Sequence, residues 1–270
     1  MTKQFDLKRD TIHLEIYTRM KTFASKRYLW IAILTLAVMF SACAQSTIHG
    51  VTSNKHTTPA TPPVDKQPTQ SSFLSKAVTY VALGASDAVG VGSNIPGSQG
   101  YVPLVAARLP KGSHLINLGI SGIRLHEALL KELPLALSTS PDLITIWLVA
   151  NDFIDGVTYA DYMHDLNTLL QQLHTRTHAR VIMANLPDLT LLPSFARQTT
   201  SQKTQTRAEI VQWNAGIAQL TARYGTILVD LFSLGSQLTA HPEYISGDGF
   251  HPSSSGYAQL ANYFWLAIKG

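Results

Sequence analysis

Apolar residues fall along the second two-thirds of the chain in two rhythms. Short runs recur at 78–83 (VTYVAL), 115–118, 143–149 (LITIWLV), 181–186 and 227–232. They are β-rich and continuous rather than alternating, which predicts strands covered on both faces. Between them lie patterns of period 3.6. In 159–175, Met163, Leu166, Leu169, Leu170 and Leu173 share one face, and Thr158-x-x-Asp161 predicts a capped start. In 206–224 the set is Ile210, Trp213, Ile217, Leu220 and Tyr224. The last helix carries Tyr257, Leu260, Ala261, Phe264 and Ile268. Strand and helix in alternation predict an α/β fold with a parallel sheet and helices on both faces. Ligands of such sheets sit at the carboxyl ends of the strands. Those ends are where candidate chemistry is sought.

The first third follows neither rhythm. Residues 28–40 (YLWIAILTLAVMF) hold thirteen residues with only Thr35 polar. Lys21, Lys26 and Arg27 precede them, and Ser41-Ala42-Cys43 follows. Basic flank, short apolar core and small residues before a cut are the pattern of a secretory signal. The run is short of the roughly 20 residues a membrane-spanning helix needs. The small pair before Cys43 resembles the lipobox of bacterial lipoproteins, although Phe40 stands where Leu is usual. That resemblance implies a lipid anchor on Cys43 and an extracytoplasmic domain. An uncleaved N-terminal anchor is the simpler alternative, with the same orientation. Met20 opens MKTFASKRYLW, a more ordinary signal start than Met1, so translation is expected to begin there. Residues 44–72 contain fourteen Ser, Thr or Pro among 29 and no apolar periodicity, which reads as a linker. Such a tether spans about 30 Å. The expected organisation is a signal peptide over 1–43, a linker over 44–72 and one domain over 73–270.

Charge follows the same division. The 270 residues carry Lys+Arg 21 and Asp+Glu 17, formally +4. Residues 1–43 hold seven basic and three acidic residues, and 44–270 hold fourteen of each. The expected domain is balanced, so it offers no net positive field to a nucleic acid. The single cysteine excludes an internal disulfide and a Cys-based zinc site.

Four short motifs stand where the strands are expected to end. Gly84-Ala85-Ser86-Asp87 puts a Ser on a tight strand-to-helix turn. Asn117-Leu-Gly119-Ile-Ser-Gly122 permits a backbone N–H to approach a ligand. Asn151-Asp152 follows the most apolar strand, where the Asn amide can serve as an oxyanion donor or cap a turn. Asp248-Gly-Phe-His251-Pro252 places a carboxylate and an imidazole three residues apart, so one can fix the tautomer of the other. No Gly-x-Ser-x-Gly nucleophile elbow, dinucleotide loop or P-loop occurs. Singly each motif is equally an ordinary turn.

In this order, the motifs resemble the SGNH (GDSL-like) serine hydrolases over roughly 76–270. The resemblance implies a three-layer sandwich around a five-stranded parallel sheet, flavodoxin-like in topology. It implies a nucleophile at Ser86, a triad completed by Asp248 and His251, and an oxyanion hole from Ser86, Gly122 and Asn151. The segment around Trp213-Asn214 looks like the family's penultimate helix. Two positions depart. Gly-Asp-Ser reads Gly84-Ala85-Ser86, and Gly-x-Asn-Asp reads Val149-Ala150-Asn151-Asp152. The Val is expected to narrow the cleft or shift Asn151.

The activity so implied is ester hydrolysis on lipid, aryl or acetylated-carbohydrate esters, with no metal or organic cofactor. A non-catalytic glycan- or lipid-binding lipoprotein and an O-acyltransferase are the rival classes. Segments 88–101 and 187–204 are expected to flank the cleft. Leu191, Leu192, Pro193 and Phe195 either line an apolar pocket or pack beneath their loop. His114, His126, His164, His174, His178 and His241 read as surface or loop residues outside any partnered motif. His174 and His178 share a helix face only if the helix runs that far.

Overall fold

The computed structural model describes residues 70–270. Cys43, the apolar run at 28–40 and nearly all of the expected linker lie outside the described residues. The chain enters through a 3₁₀ turn, Gln70–Ser75, in which the Phe73 ring lies beneath the Arg180 guanidinium.

Five strands follow: β1 (Thr79–Gly84), β2 (His114–Asn117), β3 (Leu143–Trp147), β4 (Arg180–Ala184) and β5 (Ile227–Val229). All are parallel and lie in the order β2-β1-β3-β4-β5. This is the flavodoxin-like order, and it reverses direction between β1 and β3. The connecting helices are α1 (Ser86–Val89), α2 (Pro96–Gln99), α3 (Tyr101–Ala106), α4 (Leu125–Lys131), α5 (Leu133–Ser138), α6 (Ala150–Ile154), α7 (Tyr159–Arg176), α8 (Thr200–Arg223), α9 (Gly235–Ala240) and α10 (Ser254–Lys269).

Two helical layers enclose the sheet. Helices α3 and α10 pack together through stacked Tyr101 and Phe264 rings, 4.8 Å apart. On the other side α7 contacts α4 and α8, and Tyr162 stacks on Trp213 at 4.7 Å. The predicted cap forms: Thr158 accepts the N–H of Asp161 and opens α7. Helix α7 ends at Arg176, so His178 does not continue the face of His174.

Strands β1 and β3 are buried along nearly their whole length, as continuous apolarity requires. The expectation of two covered faces fails at β2, where Leu115 is 37% exposed. β2 is an edge strand of four residues with one neighbour. Its apolar run therefore does not report full enclosure. The strands also stop short of the apolar runs. Leu148 and Val149 are buried after β3 has ended, because the chain is already turning into α6.

Candidate active site

Because the strands are parallel, the carboxyl ends of β1, β2 and β3 lie along one edge of the sheet, at the point where the strand order reverses. Ser86 begins α1 immediately beyond β1. The turn is possible because two glycines leave room for α1. A Cβ on Gly84 would stand 2.6 Å from the Ala88 Cβ, and one on Gly119 would stand 2.7 Å from it. Asn117 secures the same joint, donating from Nδ2 to the Ala88 carbonyl at 2.7 Å.

His251 meets Ser86 from the far end of the chain. Its Nε2 lies 2.9 Å from the Ser86 Oγ, and its Nδ1 lies 2.7 Å from the Asp248 Oδ2. The other carboxylate oxygen of Asp248 accepts from the Ser246 hydroxyl and from the N–H groups of Phe250 and His251, at 2.8–2.9 Å. Thus one oxygen holds the turn and the other orients the ring. Ser86 and His251 are both buried, at 8% and 4% exposure, so the exchange of a proton between them is shielded from bulk water.

Charge is distributed to match. Burial opposes the Asp248 charge, but the His251 ring and two backbone N–H groups outweigh it. The carboxyl is held well below the usual carboxylate range. Burial alone would lower the His251 pKa. The hydrogen bond its ring donates to Asp248, with the charges of Asp87 and Asp248, reverses this and leaves it raised.

The expected flanking segments both support this turn. Gly92, at φ +97°, packs so closely that a Cβ would lie 2.5 Å from the Pro252 carbonyl and 2.9 Å from the His251 Cβ. The Val91 carbonyl accepts from the Tyr257 hydroxyl at 2.7 Å. From the β4 side, the N–H of Ser194 donates to the Gly249 carbonyl at 3.1 Å, and its hydroxyl contacts the same oxygen. The apolar residues of that segment divide. Leu191 is exposed, Phe195 is buried in the core, and Leu192 is buried while facing a cavity.

Gly122, one of the expected donors, occupies the turn after β2 at φ +78°. The side chain of Asn151 donates from Nδ2 to the Ile123 carbonyl at 2.8 Å. One amide hydrogen of Asn151 is thereby used to fix its plane, and the second is left for a ligand. Val149 is 2% exposed and lies in the core, so it does not narrow the cleft. Of the two expectations for Val149, narrowing of the cleft is not met, because the side chain belongs to the core cluster.

Two buried carboxyls that the motifs did not single out tie this side together. Asp152 accepts the N–H of Leu125 through both oxygens, at 3.0 and 3.2 Å, joining the end of β3 to the loop that carries Gly122. Glu132 accepts the N–H of Gly84 at 3.1 Å, and the Gly84 carbonyl in turn takes the N–H of Ile120 at 3.0 Å. Burial pushes the Asp152 pKa up to about 7 and the Glu132 pKa up to about 8. Asp152 was visible only as the neighbour of Asn151. Glu132 stands in a helical stretch with no motif to mark it.

The other described histidines are peripheral, yet two have carboxylate neighbours the sequence did not reveal. His126 lies 3.2 Å from Asp165, and His241 lies 2.9 Å from Glu243. Asn214 has a structural task, clamping both the N–H and the carbonyl of Leu186 at 2.8–3.0 Å.

Residues 82–259 match the model of the GDSL-like lipase/acylhydrolase family. The chain belongs to this family. Solved structures agree on the fold. A GDSL-like lipase from Parabacteroides merdae is similar at 23% identity and a TM-score of 0.61, covering 72% of this chain and 97% of its own. A lipase/acylhydrolase from Enterococcus faecalis is 25% identical with a TM-score of 0.57, covering 71% and 95%. An acetylxylan esterase from Geobacillus stearothermophilus is 19% identical with a TM-score of 0.58, covering 73% and 96%. No match is found among curated proteins. The five-stranded GDSL-like hydrolase fold expected from the motifs is present, and the protein is a carboxylic ester hydrolase.

Proposed function

We propose that Ser86, His251 and Asp248 are the catalytic triad of this esterase. The carrying observation is the continuous Ser86–His251–Asp248 hydrogen-bond chain, at 2.9 and 2.7 Å. Neutral His251 accepts the Ser86 proton at Nε2 as Oγ attacks the ester carbonyl carbon. The carbonyl oxygen takes the negative charge of the tetrahedral intermediate. It is met by the N–H of Ser86, the N–H of Gly122 and the remaining amide hydrogen of Asn151. Asp248 stabilises the imidazolium and holds its tautomer. His251 then protonates the departing alkoxide, leaving an acyl group on Ser86. Water repeats the cycle: His251 takes its proton, the hydroxide attacks, and Ser86 regains its hydrogen as the acid is released.

The substrate we infer is a small acyl ester, with acetylated carbohydrate placed ahead of lipid. The likeness to an acetylxylan esterase supports this, as does the burial of Val149 and Phe195, which removes two apolar side chains from the cleft. The leader supports an extracytoplasmic enzyme tethered to a membrane by a lipid on Cys43.

A fluorophosphonate is expected to label Ser86, and Ser86→Ala is expected to lose turnover of p-nitrophenyl acetate while keeping its fold. A label found elsewhere, or activity retained, overturns the assignment. Across a chain-length series, activity is expected to be highest on acetyl esters and acetylated xylan. A maximum at long acyl chains reverses the substrate order. In a bacterial host, radiolabelled palmitate is expected to enter the full-length protein and not its Cys43→Ala variant. Equal labelling of the two, or none, removes the anchor.

A further inference from the structure

The near-balance of charge over the domain hides a division between its two edges. Residues 70–270 hold twelve Lys or Arg and thirteen Asp or Glu. Half of the basic ones gather where the chain enters the strands, at the edge of the sheet opposite the one that carries Ser86. Lys76 precedes β1, Arg108 and Lys111 precede β2, Arg176 ends α7 just ahead of β4, and Arg223 ends α8 just ahead of β5. Helix α10 ends with Lys269 at the same edge, because Arg180, the first residue of β4, donates to the Ala267 carbonyl at 3.2 Å. These six are exposed. Among the described residues the acid at this edge is Asp142, ahead of β3, which meets Lys76 at 3.8 Å and accepts the Thr79 N–H at 2.9 Å. The cleft edge is mixed instead: Asp161, Asp230 and Glu243 are exposed there alongside Arg207.

Helix dipoles account for part of this pattern. A cation in the last turn of a helix is favoured, which covers Arg176, Arg223 and Lys269. It does not cover Lys76, Arg108 and Lys111, which stand in connections outside the helices. Two further observations point to what meets the edge. The described chain begins there: the turn Gln70–Ser75 lies against α10, and the Phe73 ring lies beneath Arg180. The residues that precede it, the apolar run 28–40 among them, are therefore joined to the domain at the basic edge. In addition Leu266, one turn before Lys269, is 61% exposed. Cations beside exposed apolar side chains are what a lipid interface favours.

We propose that this basic edge docks on an anionic lipid bilayer, so that the ester cleft faces away from the membrane. Each cation held near such a surface strengthens binding about fivefold. The attraction fades over about 10 Å at 0.1 M salt. Strand β1 alone spans six residues, about 20 Å, so the cleft edge lies beyond that reach. An acidic polymer in solution would suit the charges, but it gives no role to Leu266 or to the entry of the chain at this edge. A cleft turned outward draws its esters from the surroundings and not from the supporting membrane. The proposed substrate is thereby narrowed to soluble or polymeric esters. The inference rests on the proposed membrane tether for its setting and on no part of the triad.

The test uses the full-length chain carrying Cys43→Ala and one new cysteine for a fluorophore. His114→Cys places it at the start of β2, and Ile95→Cys places it on the cleft side; both positions are exposed. The vesicles are phosphatidylcholine mixed with phosphatidylglycerol, with a headgroup-labelled acceptor lipid. Energy transfer is expected to be stronger from position 114 than from position 95. The difference is expected to be lost on vesicles of phosphatidylcholine alone. It is also expected to be lost in the combined variant Lys111→Glu/Arg223→Glu/Lys269→Glu, whose turnover of p-nitrophenyl acetate stays unchanged. The leader is common to every chain, so these losses read the edge. Equal transfer from the two positions, or stronger transfer from position 95, overturns the docking surface. So does a difference that persists without anionic lipid or in the charge-reversed variant, and so does failure of the chain to stay on the mixed vesicles. Every chain here lacks Cys43, so the result is independent of a lipid on that residue, which palmitate labelling reads separately.

Discussion

The two halves of the proposed active site are built in opposite ways. The base half is local: Asp248 and His251 are three residues apart on one turn, and a single carboxylate both shapes the turn and aligns the ring. The oxyanion half is remote: Ser86, Gly122 and Asn151 come from the ends of three strands. Two buried carboxyls join those ends, Glu132 at β1 and Asp152 between β3 and the β2 loop. The electrostatics diverge accordingly. Asp248 is held strongly ionised, whereas burial pushes Asp152 and Glu132 toward their neutral forms. Chemistry that needs a permanent charge sits on a turn rich in N–H donors. Positioning that needs only an acceptor is given to carboxyls the core can tolerate uncharged.

The largest expected effect separates chemistry from positioning. His251→Ala removes the base and is expected to lower kcat by on the order of 10⁴–10⁶-fold. Asn151→Ala removes one donor and is expected to cost about 10²–10³-fold in kcat, with KM for p-nitrophenyl acetate little changed. Steady-state kinetics check both. A loss at Asn151 confined to KM removes it from the oxyanion hole.

The next effect belongs to the link between β3 and the β2 loop. Asp152→Ala leaves the Leu125 N–H without its buried acceptor, at a cost of about 1–3 kcal/mol in unfolding free energy. The displaced Gly122 turn is expected to lower kcat by about 10–100-fold. Asp152→Asn keeps an acceptor and is expected to recover most of both. Equal damage from the two substitutions shows that the charge of Asp152 matters, against its raised pKa.

The smallest effect concerns pH, where the halves pull in opposite directions. Glu132 and Asp152 have folded pKa values of about 8 and 7, above their ordinary values of 4.5 and 3.8. Between those limits the folded state holds more protons than the unfolded chain, so stability falls as pH rises. Asp248 is shifted downward, so its contribution is present above pH 4 and lost as pH falls further. Urea unfolding is expected to show lower stability at pH 8.5 than at pH 5.5. Glu132→Gln, which cannot ionise, is expected to remove part of that difference. Activity follows His251 instead. Its raised pKa places the acid limb of kcat/KM above pH 6.5, because only the neutral ring accepts the Ser86 proton. A limb below that value contradicts the effect of its two neighbouring carboxylates.

The same contrast explains what the sequence made legible. Asp248-Gly-Phe-His251 could be read as a working pair because its geometry is contained in four residues. The strands and the long helices were legible, though not the strand ends, because each keeps its own hydrophobic pattern. Glu132 was not, because its partner Gly84 is 48 residues away and only the paired strands bring them together. That Val149 would leave the cleft for the core was not legible for the same reason. Which way a side chain points after a strand ends is decided by the turn into α6, not by its place in a motif. The edge position of β2 was equally invisible, since an apolar run does not record how many neighbours a strand will have.

The separation between Ser86 and His251 also has a consequence in time. The residues are 165 positions apart, and His251 is followed closely by the last helix. At roughly 5–20 residues per second, the imidazole leaves the ribosome about 10–30 s after the hydroxyl it is to activate. Throughout that interval the growing chain carries its serine without a base. On the proposed assignment, hydrolytic competence therefore arrives only after all five strands have been made, and a chain truncated before this turn carries the nucleophile but no means of activating it.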